Sequence, residues 1–303
     1  MTHTQRNPGY FDAVQGQRTD FAIAILMRDP AEGSTAHDDA TLLQEALESA
    51  GYPIDLPQKL SHLARTTVDR RSLLAADAIA AVGLLMKEGC LFMDEVAARV
   101  VMEQCVRIQW LCDPDAEPIA RFARAHLDAM QSMTKAKQYQ VGDLVTQQQW
   151  SSVLDELKST SAALPDALGL DYGKGSLEGE SWKTTTELLL DKEPELLPLW
   201  RKFSGTDHGL SYALIERISD ANRHAHKHNL MPMAGIPQNL QAQTYLGAIH
   251  AYRALREAVA ANRGLPAWDT DGQGVTALLE LADTAKLILS RAHIQRREGA
   301  QSA

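Results

Sequence analysis

Two long amphipathic segments separated by a very short link place the strongest constraint on the fold. Residues 68–87 and 92–111 both carry apolar side chains at helical spacing, and the link between them is centred on Glu88-Gly89-Cys90. A link this short makes two helices antiparallel neighbours. The sequence therefore predicts an all-α fold, a multi-helix bundle built on a central antiparallel helical hairpin.

Helical spacing recurs along most of the remaining chain. The low aromatic content (6%) and the abundance of Ala, Leu and Gln also favour helix over sheet. Asp38 or Asp39 is the predicted N-cap of the first helix after the amino-terminal segment. The predicted helices outside the hairpin cover residues 38–50, 56–65, 117–137, 148–162, 193–203, 208–228, 240–262 and 276–296.

The chain is predicted to divide into a short lead-in and one domain. Residues 1–36 are mostly polar and are predicted to be irregular, with only the apolar stretch 21–27 able to form an ordered anchor. Residues 37–298 are predicted to form a single helical domain. Within it, residues 164–182 are rich in Gly, Pro, Ser and acidic residues and predict a long loop, which is either a functional lid or a plain linker.

Charge and cysteine content narrow the class of protein. Thirty Lys plus Arg against 39 Asp plus Glu give a net charge of −9, which disfavours bulk binding to nucleic acid or to a membrane surface. A local basic stretch at 291–297 is typical of a solvated helix end. The chain has no apolar run long enough to span a membrane. Three scattered cysteines, and no leader-like stretch at Met1, predict a cytoplasmic protein in which Cys105 and Cys112 are small buried hydrophobes.

Signatures of common enzyme classes fail on their spacing. In residues 169–176, Gly175 stands where a phosphate-binding loop needs Ser or Thr directly after Lys174. The run His37-Asp38-Asp39 is interpreted as a helix start and not as a metal site. HExxH, GxSxG and CxxC motifs do not occur. No cofactor and no metal site is therefore predicted.

The segment 208–229 carries the most informative polar cluster. If it is helical, its apolar stripe is flanked by Arg217, Asp220, His224 and His228 at spacings that bring their side chains together. An acceptor at Asp220 would fix the tautomer of His224, as a general base requires. Three alternatives stay open: a buried structural network, a solvated helix end, and a metal site at His224 and His228 with His208 or Asp220 as third ligand.

A second polar line lies on the second helix of the hairpin. Glu95, Arg99, Glu103 and Arg107 follow one another at intervals of four residues. Such a line is ordinarily an exposed salt-bridge ladder. The other faces of this helix are apolar, so the alternative is that Arg99 and Glu103 reach into the interior.

The stretch ARVVMEQCVRIQWLCDPD resembles a family of uncharacterised all-helical bacterial proteins. Its marks are Arg99 four residues before Glu103, then Trp-Leu and Asp-Pro at the helix end. A later Tyr, Ser and His helix in that family is matched here by Tyr212, Ser219 and His224. In outline the chain is similar to the HEPN superfamily, whose active members are metal-independent ribonucleases with an Arg-x(4 to 6)-His motif at a dimer interface. Arg217 with His224, and Arg223 with His228, fit that motif.

Two functions follow from these patterns. The resemblance implies a HEPN-like RNA-cleaving protein, of the kind used in stress response or phage defence, acting as a homodimer on RNA. In it His224 serves as acid or base and Arg217 stabilises phosphate charge, with Asp220 and His228 beside them and a supporting polar network of Arg99, Glu103, Tyr212 and Ser219. The alternative is a non-catalytic ligand-binding or regulatory module, in which loop 164–182 and the turn Met231-Pro232-Met233 cover a small-molecule pocket or partner surface.

Overall fold

The computed structural model describes most of the chain between residues 21 and 265. The described residues are 21–25, 27–52, 55–88, 90, 92–138, 148–149, 151–156, 158–159, 176–177, 179–210, 215, 218–219 and 238–265.

These residues form an all-α multi-helix bundle, as predicted. The helices are α1 (Thr35–Ser49), α2 (Asp55–Glu88), α3 (Met93–Leu111), α4 (Pro118–Gln138), α5 (Thr185–Lys192), α6 (Leu197–Asp207) and α7 (Gln238–Arg263). Two short strands, β1 (Ser176–Leu177) and β2 (Glu180–Ser181), pair antiparallel within the segment predicted as a loop. Within the described part of the chain, every helix is too short or too polar to cross a lipid bilayer.

Helix α2 is longer than predicted. A separate short helix over 56–65 was expected to end before the pair Thr66-Thr67, yet the helix continues through both residues. The two threonine hydroxyls donate to the carbonyl oxygen of Leu63 at 3.2 and 2.8 Å, inside the helix that contains them. Both hydroxyls bond to a carbonyl oxygen of the preceding turn, which a continuous helix accommodates. The expected break between residues 65 and 68 is absent.

The amino-terminal boundary also differs from the prediction. Residues 21–25 of the segment predicted as irregular are helical, and Phe21 and Ile25 lie in the core. Helix α1 starts at Thr35, and the Ser34 hydroxyl accepts from the His37 backbone N–H, so Ser34 is the N-cap in place of Asp38 or Asp39.

The helix predicted over 193–203 lies four residues further along the chain as α6, and it is preceded by α5, which was not predicted. Pro194 disfavours helical geometry at the residue before it, and Glu193 has φ −140° and ψ 62°. Helix α5 therefore ends at Lys192 and α6 starts at Leu197. The start of α5 is fixed by a capping box between Thr184 and Glu187.

Helix α3 runs through the centre of the bundle. It packs against α2, α7, α6 and α5, and side chains such as Val101, Met102 and Ile108 are fully buried. Cys105 and Cys112 are buried as predicted, and burial raises the pKa of the Cys112 thiol to about 12. Both cysteines therefore act as small apolar side chains.

Candidate functional site

A cavity of about 420 Å³ lies where α1, α2, α4 and the end of α7 meet. Its wall is largely apolar, because Val68 of α2 and Leu111 of α3 face Phe122 and Ala125 of α4. Gln58 and Ser61 add hydrogen-bonding groups to the same lining. Ala64, one turn before Val68 on α2, also lines the space.

Arg121 and Asp39 form the most buried ion pair of the cavity. The guanidinium Nε and Nη2 atoms donate to the two carboxylate oxygens, both at 2.6 Å, and each side chain is 9% exposed. Arg121 Nη1 also donates to the carbonyl oxygens of Asp113, at 3.0 Å, and Ala116. One side chain thus joins α1, the turn after α3 and α4.

Arg263 and Asp69 form a second pair at the carboxyl end of α7. Arg263 Nη1 donates to Asp69 Oδ1 at 2.5 Å and also to the carbonyl oxygen of Ile25 at 3.3 Å. Burial raises the pKa of Asp69, and the nearby Arg263 and Arg65 oppose that rise. Burial likewise lowers the pKa of Arg263, and Asp69 opposes it. Each charge of the pair therefore offsets part of the cost of burying the other.

Arg65 and Asp29 form the third pair, at the rim. Arg65 also reaches Asp69, with its Nε 3.7 Å from the carboxylate, and its side chain is 34% exposed. His37 and His62 line the cavity as well.

The charges around the cavity balance. Three arginines, Arg65, Arg121 and Arg263, face three aspartates, Asp29, Asp39 and Asp69. Every one of these side chains has an oppositely charged partner among the described residues. The cavity therefore offers an apolar wall with dipolar edges and no unbalanced charge.

All four residues predicted as catalytic, Arg217, Asp220, His224 and His228, lie outside the described residues. The same holds for Tyr212 of the supporting network and for Arg223. Ser219 is described, helical and exposed, and it does not line the cavity. RNA cleavage by Arg217 and His224 stays a prediction.

The structure places Arg99 and Glu103 under α6. Arg99 Nε donates to Glu103 at 2.8 Å and its guanidinium also pairs with Asp207, while Trp200 Nε1 donates to the same Glu103 oxygen at 3.1 Å. The predicted exposed ladder is wrong for Glu95 and Arg107, which are buried. Arg99 and Glu103 hold α6 against α3 and do not line the cavity.

Sequence reasoning missed the arginine–aspartate pairs of the cavity. Their members are 82 and 194 residues apart in the two most buried cases. The available signal was an arginine inside an apolar helical pattern, as at Arg121 beside Phe122 and Ala125.

Comparisons with protein-family models, with curated proteins and with solved structures found no match. The assignment of a site therefore rests on the geometry of this chain.

Proposed function

We propose that this protein binds a small amphipathic molecule in the cavity between α1, α2, α4 and α7. The molecule has an apolar body and an uncharged or zwitterionic polar end. The single observation that carries the proposal is the cavity itself, which combines an apolar wall with three paired arginines at its edges.

The volume suits an organic ligand. At about 420 Å³ the space falls within the range of roughly 300–1,000 Å³ that ligand pockets occupy. An apolar cavity of about 150 Å³ already takes up benzene, so a molecule of two or three rings is a reasonable occupant.

The paired charges set the polarity of the ligand. An anion would compete with Asp39 or Asp69 for an arginine and would leave a buried carboxylate without its partner. Leaving a buried charge unpaired is strongly unfavourable. A neutral donor or acceptor, or a zwitterion, can instead hydrogen-bond to the edges without separating the pairs.

Binding can be tested with 1-aminoanthracene, a neutral probe of three fused rings with one amino group. We expect saturable binding with a rise in fluorescence as the probe leaves water. Ala64→Phe places a ring in the cavity and should weaken binding about tenfold or more. The matched control is Ala254→Phe. Ala254 is also partly buried, but it lines a different cleft, so this substitution should leave binding of the probe unchanged.

The outcome that contradicts the proposal is equal binding by both variants, or none by the unaltered protein. Melting temperatures of both variants show whether either substitution has disturbed the fold.

HEPN-like RNA cleavage by a homodimer is kept as a separate prediction, because its residues lie elsewhere in the sequence. The expected result is that His224→Ala removes RNA cleavage without changing the binding of 1-aminoanthracene. Cleavage that persists in this variant would contradict the catalytic role of His224.

We also propose that the protein is cytoplasmic. The three cysteines support this location, because all of them are free thiols.

A further inference from the structure

A second group of polar side chains lies away from the cavity, between the α5–α6 turn and α7. Glu193 Oε2 is 2.8 Å from His250 Nε2, and Glu195 Oε1 is 3.6 Å from the same nitrogen. One ligand atom from each of the three residues lies within 4.8 Å of the others. We call these residues the Glu–Glu–His cluster.

The break at Pro194 creates this arrangement. Glu193 leaves the helical conformation, and the turn is closed by the Leu196 N–H donating to the Glu193 carbonyl at 3.0 Å. Two carboxylates separated by one residue then lie close to the same residue of α7, His250. If α5 and α6 were one continuous helix, the two carboxylates would point about 200° apart around it and could not converge.

The cluster carries more negative charge than it can balance internally. Glu193, Glu195 and His250 have side-chain exposures of 9, 13 and 6%. A protonated imidazole balances at most one of the two carboxylates. The two nearby cations have carboxylate partners outside the cluster. Lys192 Nζ donates to Asp113 Oδ2 at 2.9 Å, and Arg253 Nε donates to Glu257 Oε1 at 2.7 Å. A shielded site with two carboxylates and one imidazole therefore favours an added cation.

The donor atoms identify the class of cation. Two carboxylate oxygens and one imidazole nitrogen suit first-row divalent ions such as Zn²⁺ and Mn²⁺, and they lack the thiolates that softer ions prefer. Gln109 Nε2 donates to Glu193 Oε1 at 2.7 Å, which holds this carboxylate in place as outer-shell partners of metal ligands do.

We propose that the Glu–Glu–His cluster binds one divalent first-row metal ion. Its three protein ligands leave coordination positions open. Glu193 and His250 also line a cleft of about 480 Å³, from which a further ligand could reach the ion. This is the arrangement of metal sites that bind a further ligand, whereas purely structural sites have four protein ligands. The metal replaces the proton on His250 Nε2, which passes to the buffer.

Metal binding is tested by calorimetric titration of the full chain with ZnCl₂ and, separately, MnCl₂ after removal of metal with a chelator. The histidine-rich run at 224–228 offers other ligands, so every protein carries His224→Ala and His228→Ala as a common background. The parent is expected to bind one ion per chain. His250→Gln and Glu195→Gln are expected to weaken binding tenfold or more, and Glu257→Gln, a cleft carboxylate outside the cluster, should leave it unchanged.

Glu195→Gln is the decisive variant, because Glu195 makes the longer contact and its replacement keeps shape and volume. Its circular dichroism and melting temperature should match those of the parent. A parent that binds no ion, or ions bound equally well by the parent and by Glu195→Gln, would overturn the proposal. The result is independent of the amphipathic-ligand cavity, since 1-aminoanthracene binding should be unaffected by Glu195→Gln.

Discussion

Replacing Asp128 by alanine is expected to lower the free energy of unfolding by about 3–5 kcal/mol, because it leaves the buried Arg107 and the half-buried Arg71 without their carboxylate. Arg71 donates to Asp128 through Nε at 2.7 Å and through Nη2 at 2.8 Å. Arg107 Nε lies 3.6 Å from the same carboxylate, whose side chain is only 3% exposed. Asp128 thereby joins α4 to both α2 and α3.

Arg107 makes this loss larger than that of an ordinary ion pair. Its guanidinium lies 5.3 Å from the ring centre of Trp110 and 4.8 Å from that of Trp182. Burial lowers the pKa of Arg107 to about 10, and Asp128 opposes that effect. Without Asp128 the cost of burying this charge would be offset less, and the contacts with the two aromatic rings contribute only about 0.5–2 kcal/mol each.

Urea denaturation measures this effect. Asp128→Asn keeps a hydrogen-bond acceptor and is expected to destabilise less than Asp128→Ala. Asp115→Ala, an exposed aspartate just before α4, is the control and should change stability by less than about 0.5 kcal/mol. A change below 1 kcal/mol for Asp128→Ala would show that the pair does not hold α4 in place.

Replacing Asp39 by alanine is the second large effect expected, again about 3–5 kcal/mol, because Arg121 would remain buried without a counter-charge. Among the hydrogen bonds of Arg121 described above, those from Nη1 to the carbonyl oxygens of Asp113 and Ala116 would then remain. Asp38 is adjacent in sequence but exposed, so Asp38→Ala is the control.

The double variant Asp39→Leu with Arg121→Met separates charge from shape. Both charges are then absent and similar volumes are retained, so much of the lost stability should return. If the double variant is as unstable as Asp39→Ala, the pair contributes through packing and not through charge compensation. Both residues line the ligand cavity, so Asp39→Ala should also weaken binding of 1-aminoanthracene.

Much of the fold could be predicted because helical periodicity is a local property. The second hairpin segment, α4 and α7 were placed within a few residues of their observed bounds, as was the end of α2. The errors fall where one side chain decides a boundary. Helix α2 continues through Thr66 and Thr67, whose hydroxyls bond within it, whereas Pro194 keeps Glu193 out of the helix that was predicted to begin there, so that α6 starts only at Leu197. The start of α5 is marked in the sequence by Thr184 followed three residues later by Glu187, the spacing of a capping box.

The sites could not be predicted in the same way, because distant segments form them. His250 meets Glu193 across 57 residues, and Arg263 meets Asp69 across 194. The cluster that was predicted, at 217–228, consists of residues that are close together in the chain. A buried ion pair leaves only a weak trace in one sequence, which is a charged residue within an apolar pattern.

The location of a bound probe is the sharpest test of ligand binding in the cavity. Crystals of the protein soaked with 4-bromoaniline, which has an uncharged amino group on an apolar ring, would reveal the bromine by its anomalous scattering. We expect a bromine site lined by Val68, Leu111, Phe122 and Ala125. Bromine found only in the cleft beside His250, or at no defined position, would contradict the proposal that the arginine-edged cavity is the ligand site.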